Sequence, residues 1–129
     1  MDYKILVEKA YEAMTFAYTP YSKFNVGAAL LTQSGKIYTG CNIEFASYGA
    51  TNCAERTAIF KAISEGEQAF TAIAVVSSSK DFTYPCGICR QVIVEFGKDI
   101  DIIVAKDYDY EVYKIDDLLP KSFTGIDIK

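Results

Sequence analysis

Ile102-Ile-Val-Ala-Lys-Asp-Tyr-Asp-Tyr-Glu-Val-Tyr-Lys-Ile115 decides how the sheet of this chain ends. Ile102 to Ala105 and Glu111 to Ile115 both read as strands, and only Lys106 to Tyr110 lies between them. That connection is too short for the crossover a parallel pair needs, so the spacing predicts an antiparallel hairpin. Upstream, Ala72 to Val76 is a continuous apolar run, the pattern of a strand covered on both faces. Between the two, Pro85 suits the first turn of a helix that runs through Ile88, Val92, Ile93 and Phe96 to Gly97. Strand, helix and strand in that order make the fold α/β.

The earlier part of the chain continues the alternation. Over residues 2–18, Ile5, Leu6, Ala10, Ala13, Met14 and Ala17 fall near helical spacing, with Pro20 just beyond. Phe24 to Leu31 and Lys36 to Cys41 are strand-like and are joined by Thr-Gln-Ser-Gly, which suits a hairpin. Asn52 reads as the N-cap of a helix whose apolar face is Ala54, Ala58, Ile59, Ala62 and Ile63, ending at Gly66. Asp116 to Pro120 reads as a short closing helix. The 129 residues, half of them hydrophobic, suit one domain over residues 1–129. A net charge of −4 supplies no basic patch for a phosphate backbone, so nucleic acid is not an expected partner. No apolar run has the length of a signal-peptide core or a membrane span, and the expected location is the cytoplasm, with no membrane partner.

The chemistry is concentrated at two of these helix starts. Cys53-Ala-Glu55 opens one and Pro85-Cys86-Gly-Ile-Cys89 the other, in a chain with four cysteines and no histidine. Cys53, Cys86 and Cys89 read as a three-thiolate zinc site. A structural zinc site closes its shell with four protein ligands, whereas a catalytic one keeps three and leaves a place for water or substrate. Glu55, two residues after a ligand, is placed to handle protons. Zn²⁺ with three cysteinates carries a net negative charge, which two helix N-termini offset, and Arg56 and Arg90 could donate to the ligand sulfurs. With three cysteines assigned to metal no disulfide pair is left, which suits a reducing compartment. Cys41 reads as a small, buried apolar residue.

Each feature has a plainer reading. A C-x-x-C pair alone serves structural zinc or redox chemistry as readily, a lone glutamate at a helix start is usually solvated, and Phe24 on a strand is ordinary core. A non-catalytic zinc-stabilised module would complete the shell with protein, yet Cys41 is the one thiol left for it.

The chain resembles the small homotetrameric cytidine deaminases over nearly its whole length. The resemblance rests on Tyr21 to Leu31, Gly40-Cys-Asn-Ile-Glu44, Cys53-Ala-Glu-Arg-Thr-Ala58, Pro85-Cys-Gly-Ile-Cys-Arg-Gln91 and Leu118-Leu-Pro-Lys-Ser-Phe123, in the family's order. It is also similar to the zinc nucleobase deaminases in its all-cysteine form of their motif. The resemblance implies a three-layer α/β/α fold with a mixed five-stranded sheet, zinc on Cys53, Cys86 and Cys89, and proton transfer by Glu55. It implies nucleoside contacts from Phe24, Asn42, Glu44 and Ala54, and subunit-boundary places for Ala46, Tyr48 and Phe123 in a homotetramer whose pockets neighbours complete. The antiparallel last strand pair separates the chain from deaminases resembling the tRNA and DNA editing enzymes, whose last pair is parallel. Phe45 stands where the family usually has asparagine, and Ile88 where alanine is common. The implied activity is hydrolytic deamination of cytidine and 2′-deoxycytidine, with a deaminase of another aminopyrimidine nucleoside as the alternative.

Overall fold

The computed structural model describes residues 2–128. The elements in chain order are α1 (Lys4–Met14), β1 (Val26–Thr32), β2 (Ile37–Cys41), a 3-10 turn (Tyr48–Ala50), α2 (Ala54–Ser64), β3 (Phe70–Ser77), α3 (Gly87–Val94), β4 (Asp101–Lys106), β5 (Asp109–Lys114) and α4 (Ile115–Leu118). One mixed sheet runs β2-β1-β3-β4-β5. β1 is antiparallel to both β2 and β3, β3 is parallel to β4 across α3, and β4 and β5 are antiparallel. Among the described residues no helix is long and apolar enough to cross a membrane.

The sheet divides the core into two layers with different side-chain sizes. On one face Ala29, Ala72, Ala74 and Ala105, with Val76 and Ile103 as the larger members, meet Leu6, Val7 and Ala10 of α1. On the other Leu30, Ile73, Ile102 and Val104 meet Ala58, Ile59 and Ala62 of α2 and Ile93 and Val94 of α3. Small residues let α1 lie close, and branched residues fill the wider space under two helices. β3 and β4 supply both faces, which is why Ala72 to Val76 is apolar without alternation.

The last hairpin is tighter than the sequence indicates. Lys106 pairs with Asp109 and Ala105 with Tyr110, which leaves only Asp107 and Tyr108 in the turn, both with positive φ, 49° and 68°. Two successive left-handed residues match the twist of flanking strands. Aspartate tolerates that conformation, and Tyr108 is compensated by packing its ring 4.3 Å from that of Tyr11.

The helix starts also differ by a residue or so from the sequence reading. Asn52 is not the N-cap of α2. Cys53 holds that position in extended geometry (ψ 155°), while Asn52 pairs its backbone with Ile43 and donates through Nδ2 to Thr57 Oγ1 at 3.1 Å. Likewise Cys86 caps α3 (ψ 170°), and Pro85 precedes the helix instead of occupying its first turn. Residues 15–18 leave the helical path of α1 because Tyr18 bridges to Ile43 and Asn42. Ile5, expected on the packed face of α1, is exposed.

Gly40 is where α2 touches the sheet most closely. A Cβ added there would stand 2.5 Å from the Ala54 carbonyl oxygen and 2.6 Å from the Ala58 nitrogen. The absence of a side chain on β2 thus lets the start of α2, with Cys53 and Glu55, lie directly on the strand. Gly40→Ala should cost about 1–3 kcal/mol, as overpacking does, and should lower zinc retention because the backbone carrying Cys53 must move. Denaturant unfolding and metal analysis of the same preparation would check both.

Candidate active site

Two helix starts set the site. Cys53 caps α2 and Cys86 caps α3, and neither makes a side-chain capping hydrogen bond. Their sulfurs are therefore free to face each other, and the first-turn N–H groups of both helices are unspent on a cap. Cys89 lies in the first turn of α3, fully buried, while Cys53 is half-buried and Cys86 exposed. The ligand atoms of the three cysteines all lie within 4.8 Å of one another, with Cys53 Sγ and Cys86 Sγ 3.8 Å apart. In a tetrahedral zinc–thiolate shell adjacent sulfurs stand about 3.8 Å apart. The donor set therefore fits a soft divalent ion, with the exposed Cys86 on the solvent side.

The electrostatics are those of a thiol cluster beside a buried acid. A hydrogen bond from Cys89 draws the Cys53 thiol down to about 5, helped by the guanidinium of Arg56, whose Nη2 donates to Cys53 Sγ at 3.2 Å. The same sulfur–sulfur contact, with burial, pushes the Cys89 thiol well up. Glu55 is 4% exposed, and burial pushes its carboxyl up to about 7, with the neighbouring Cys53 charge acting in the same direction. A carboxyl so placed is a proton carrier near neutral pH. Arg56 Nε is buried without a hydrogen-bond partner, so the guanidinium is directed at sulfur more than at the backbone.

Of the two arginines read as sulfur donors, only Arg56 reaches one. Arg90 instead donates through Nε to the Pro85 carbonyl and through Nη1 to the Leu118 carbonyl, both at 2.7 Å. It ties the loop before Cys86 to the end of α4. Cys41 is half-buried rather than fully buried, apart from the cluster, beside a surface cavity of about 450 Å³ lined also by Lys9, Phe16, Ile37 and Lys61. Ile88, which stands where alanine is common, is 61% exposed.

The polar residues expected at a nucleoside already have protein partners. The Asn42 side chain accepts from Val26 N at 2.9 Å and donates to Phe24 O at 2.8 Å, bracing the backbone that carries Phe24. Glu44 accepts from the N–H groups of Tyr21 and Ser22 at 3.1 and 3.0 Å and from the Ser22 hydroxyl, and these bonds hold its carboxyl below the usual range. One amide N–H of Asn42 and further lone pairs of Glu44 remain available. Glu44 shares a cavity of about 400 Å³ with Tyr21, Ser22, Phe45, Tyr48 and Thr51. Ala46 and Tyr48 are exposed on that loop, and Ala54 is buried at the α2 start. Phe123 lies in the segment after α4, 59% exposed, with its carbonyl accepting from Gln91 Nε2 at 2.9 Å. Neither the Gln91 bond nor the Ser22 clasp on Glu44 had a signal in residue spacing, because both join segments far apart in the chain.

A single sheet covered by helices on both faces, with three thiols and a buried carboxylate at two converging helix starts, defines an α/β protein with a thiolate metal centre. Residues 2–106 match the family described as "Cytidine and deoxycytidylate deaminase zinc-binding region". A cytidine deaminase of Halalkalibacterium halodurans is 48% identical over 130 residues, covering 99% of this chain and 98% of that one. A blasticidin-S deaminase of Bacillus cereus is 34% identical over 127 residues, covering 92% and 90%. The crystal structure of cytidine deaminase from Burkholderia pseudomallei matches with a TM-score of 0.89 at 47% identity, covering 95% of this chain and all of that one. The chain belongs to the cytidine and deoxycytidylate deaminase family.

The Arg56 contact generates a prediction. Arg56→Ala should weaken zinc binding by roughly 10–100-fold, the usual cost of losing a partner of a metal ligand. Competition with a chromophoric chelator would measure it, and an unchanged affinity would show that the guanidinium is incidental.

Proposed function

We propose that the protein deaminates cytidine and 2′-deoxycytidine hydrolytically to uridine and 2′-deoxyuridine with release of ammonia, serving pyrimidine salvage. It would work in the cytoplasm as a homotetramer of one-domain subunits, each domain spanning residues 1–129 and holding one zinc ion. The observation that supports this most is the buried Glu55 within two residues of Cys53, whose sulfur lies with those of Cys86 and Cys89 inside 4.8 Å.

Zinc held by Cys53, Cys86 and Cys89 supplies the acidification of a water molecule toward neutral pH. Glu55 takes the proton from the attacking water as its oxygen adds to C4 of the pyrimidine. Glu55 delivers that proton to N3, then takes the proton of the new C4 hydroxyl and passes it to the departing amine as the carbonyl forms, because an unprotonated amide ion is too poor a leaving group. One carboxylate serves as base and then as acid. Uncapped N–H groups at the starts of α2 and α3 offer donors to the charge that develops in the ring. Phe24 flanks the base, and Asn42 and Glu44 receive ribose hydroxyls through their remaining hydrogen-bonding capacity. Ala54 lines the base pocket and Ala46 and Tyr48 its rim, while Phe123 of a neighbouring subunit closes it. The chain's 10 tyrosines and 8 phenylalanines support assembly, since exposed rings such as Phe16, Tyr48, Phe60 and Phe123 are more than a monomer surface needs.

A second reading is favoured by Phe45, whose ring lines the cavity beside Glu44, and by the similarity to a blasticidin-S deaminase. The preferred substrate would then be another aminopyrimidine nucleoside with a bulkier group at the sugar. Parallel absorbance assays on cytidine, 2′-deoxycytidine, CMP and blasticidin S separate the readings. Turnover of the two simple nucleosides, with CMP poor because a chain of net charge −4 leaves little compensating charge for a phosphate, supports the first. Blasticidin S as the best substrate would replace it.

Glu55→Gln should retain zinc and fold while losing turnover by roughly 10²–10⁴-fold, the usual contribution of an acid–base group. Near-normal activity in the zinc-loaded variant would sink the mechanism. For assembly, sedimentation should show a tetramer, and Phe123→Ala should raise KM for cytidine more than it changes kcat or unfolding. A fully active monomer at low concentration would show that no neighbour completes the pocket.

A further inference from the structure

After α4 the chain turns back on itself through Leu118-Leu-Pro-Lys-Ser-Phe123. Lys121, directly after Pro120, has a left-handed backbone with φ 55°. Proline followed by a left-handed residue is the chemistry of a tight reversal in which glycine is the usual second member, so a lysine there is strained. Ser122 Oγ in the same turn is buried with no hydrogen-bond partner. Such a turn persists only if its surroundings hold it.

Two consecutive side chains of α3 do so. Arg90 Nη1 donates to Leu118 O at 2.7 Å and Gln91 Nε2 to Phe123 O at 2.9 Å, one at each end of the turn. Both follow directly on Cys89, in the helix that starts at the metal-site cysteines. The protein grips the backbone of Phe123 and leaves its ring largely in solvent. A residue held by its carbonyl while its aromatic ring projects outward is being presented, not packed.

We infer that Gln91 is a positioning residue: by fixing the Phe123 carbonyl against α3 it sets where the Phe123 ring projects, and so sets substrate affinity in the pocket of the adjoining subunit. This rests on the reading that Phe123 completes a neighbour's pocket. The effect belongs in KM, since Gln91 touches neither the cysteine sulfurs nor Glu55 among its hydrogen bonds.

The test is cytidine kinetics on the zinc-loaded tetramers of wild type, Gln91→Ala, Phe123→Ala and the double variant, with zinc content and sedimentation measured on each. Gln91→Ala should raise KM by about 2- to 12-fold, the range of one net hydrogen bond, with kcat and zinc content unchanged. In the double variant KM should match that of Phe123→Ala alone, because Gln91 acts through that ring. Gln91→Met, which keeps the side-chain volume but donates no hydrogen bond, gives the same comparison if the alanine variant does not fold. An unchanged KM in Phe123→Ala overturns the underlying reading. A raised KM in Phe123→Ala with none in Gln91→Ala or Gln91→Met overturns only the positioning role. So does a Gln91 effect of equal size in both backgrounds, or one that appears as lost zinc and lowered kcat.

Discussion

Three sulfur atoms and one buried carboxylate have to be held at the starts of two helices, and the remaining structure is arranged to make that possible. Helix starts carry partial positive charge and unpaired N–H groups, so they tolerate thiolate better than any other part of an α/β fold. Using cysteine as the cap gives up the side-chain hydrogen bond that serine or aspartate would make, a sacrifice of about 1 kcal/mol per helix. Burial against the sheet offsets it. Ala54, Ala58, Ile59 and Ala62 of α2 and Ile93 and Val94 of α3 are all within the larger core layer. Gly40 then removes the one side chain that would keep α2 off β2.

Charge is handled at the same place. The Cys53 thiol is drawn down because Cys89 donates to it and Arg56 adds a cation 3.2 Å away. Cys89, fully buried, is pushed the other way. Glu55 lies against this charge with almost no solvent, which raises its affinity for a proton. Burial and neighbouring charge are two distinct causes of a shifted pKa, and here they act together on a single carboxylate.

The helix of Cys86 and Cys89 has a second task. Arg90 and Gln91 extend from it to carbonyls of the C-terminal segment, and Arg90 also reaches back to Pro85. Metal loop, α3 and the Phe123 turn are consequently one hydrogen-bonded unit. Multidentate guanidinium contacts to carbonyls hold such a unit with little freedom, which a lysine in place of Arg90 could not do.

The sequence alone was sufficient wherever the signal is local. The antiparallel end of the sheet follows from the few residues between two strand-like runs, the doubly covered β3 from an unbroken apolar run, and the thiol set from the lack of any histidine. Even the cysteines' place at helix starts was legible, to within a residue. Tertiary structure decided what depends on groups distant in the chain. It gave the cap of α2 to Cys53 because Asn52 is drawn into a bridge with Ile43. It sent Arg56 to sulfur and Arg90 to carbonyls, although both follow a motif cysteine at similar spacing. It also gave Asn42 and Glu44 backbone partners that no pattern announces. The reason is physical: hydrophobic periodicity is written residue by residue, whereas a backbone carbonyl is the same acceptor everywhere, so which side chain reaches it depends on the packed geometry.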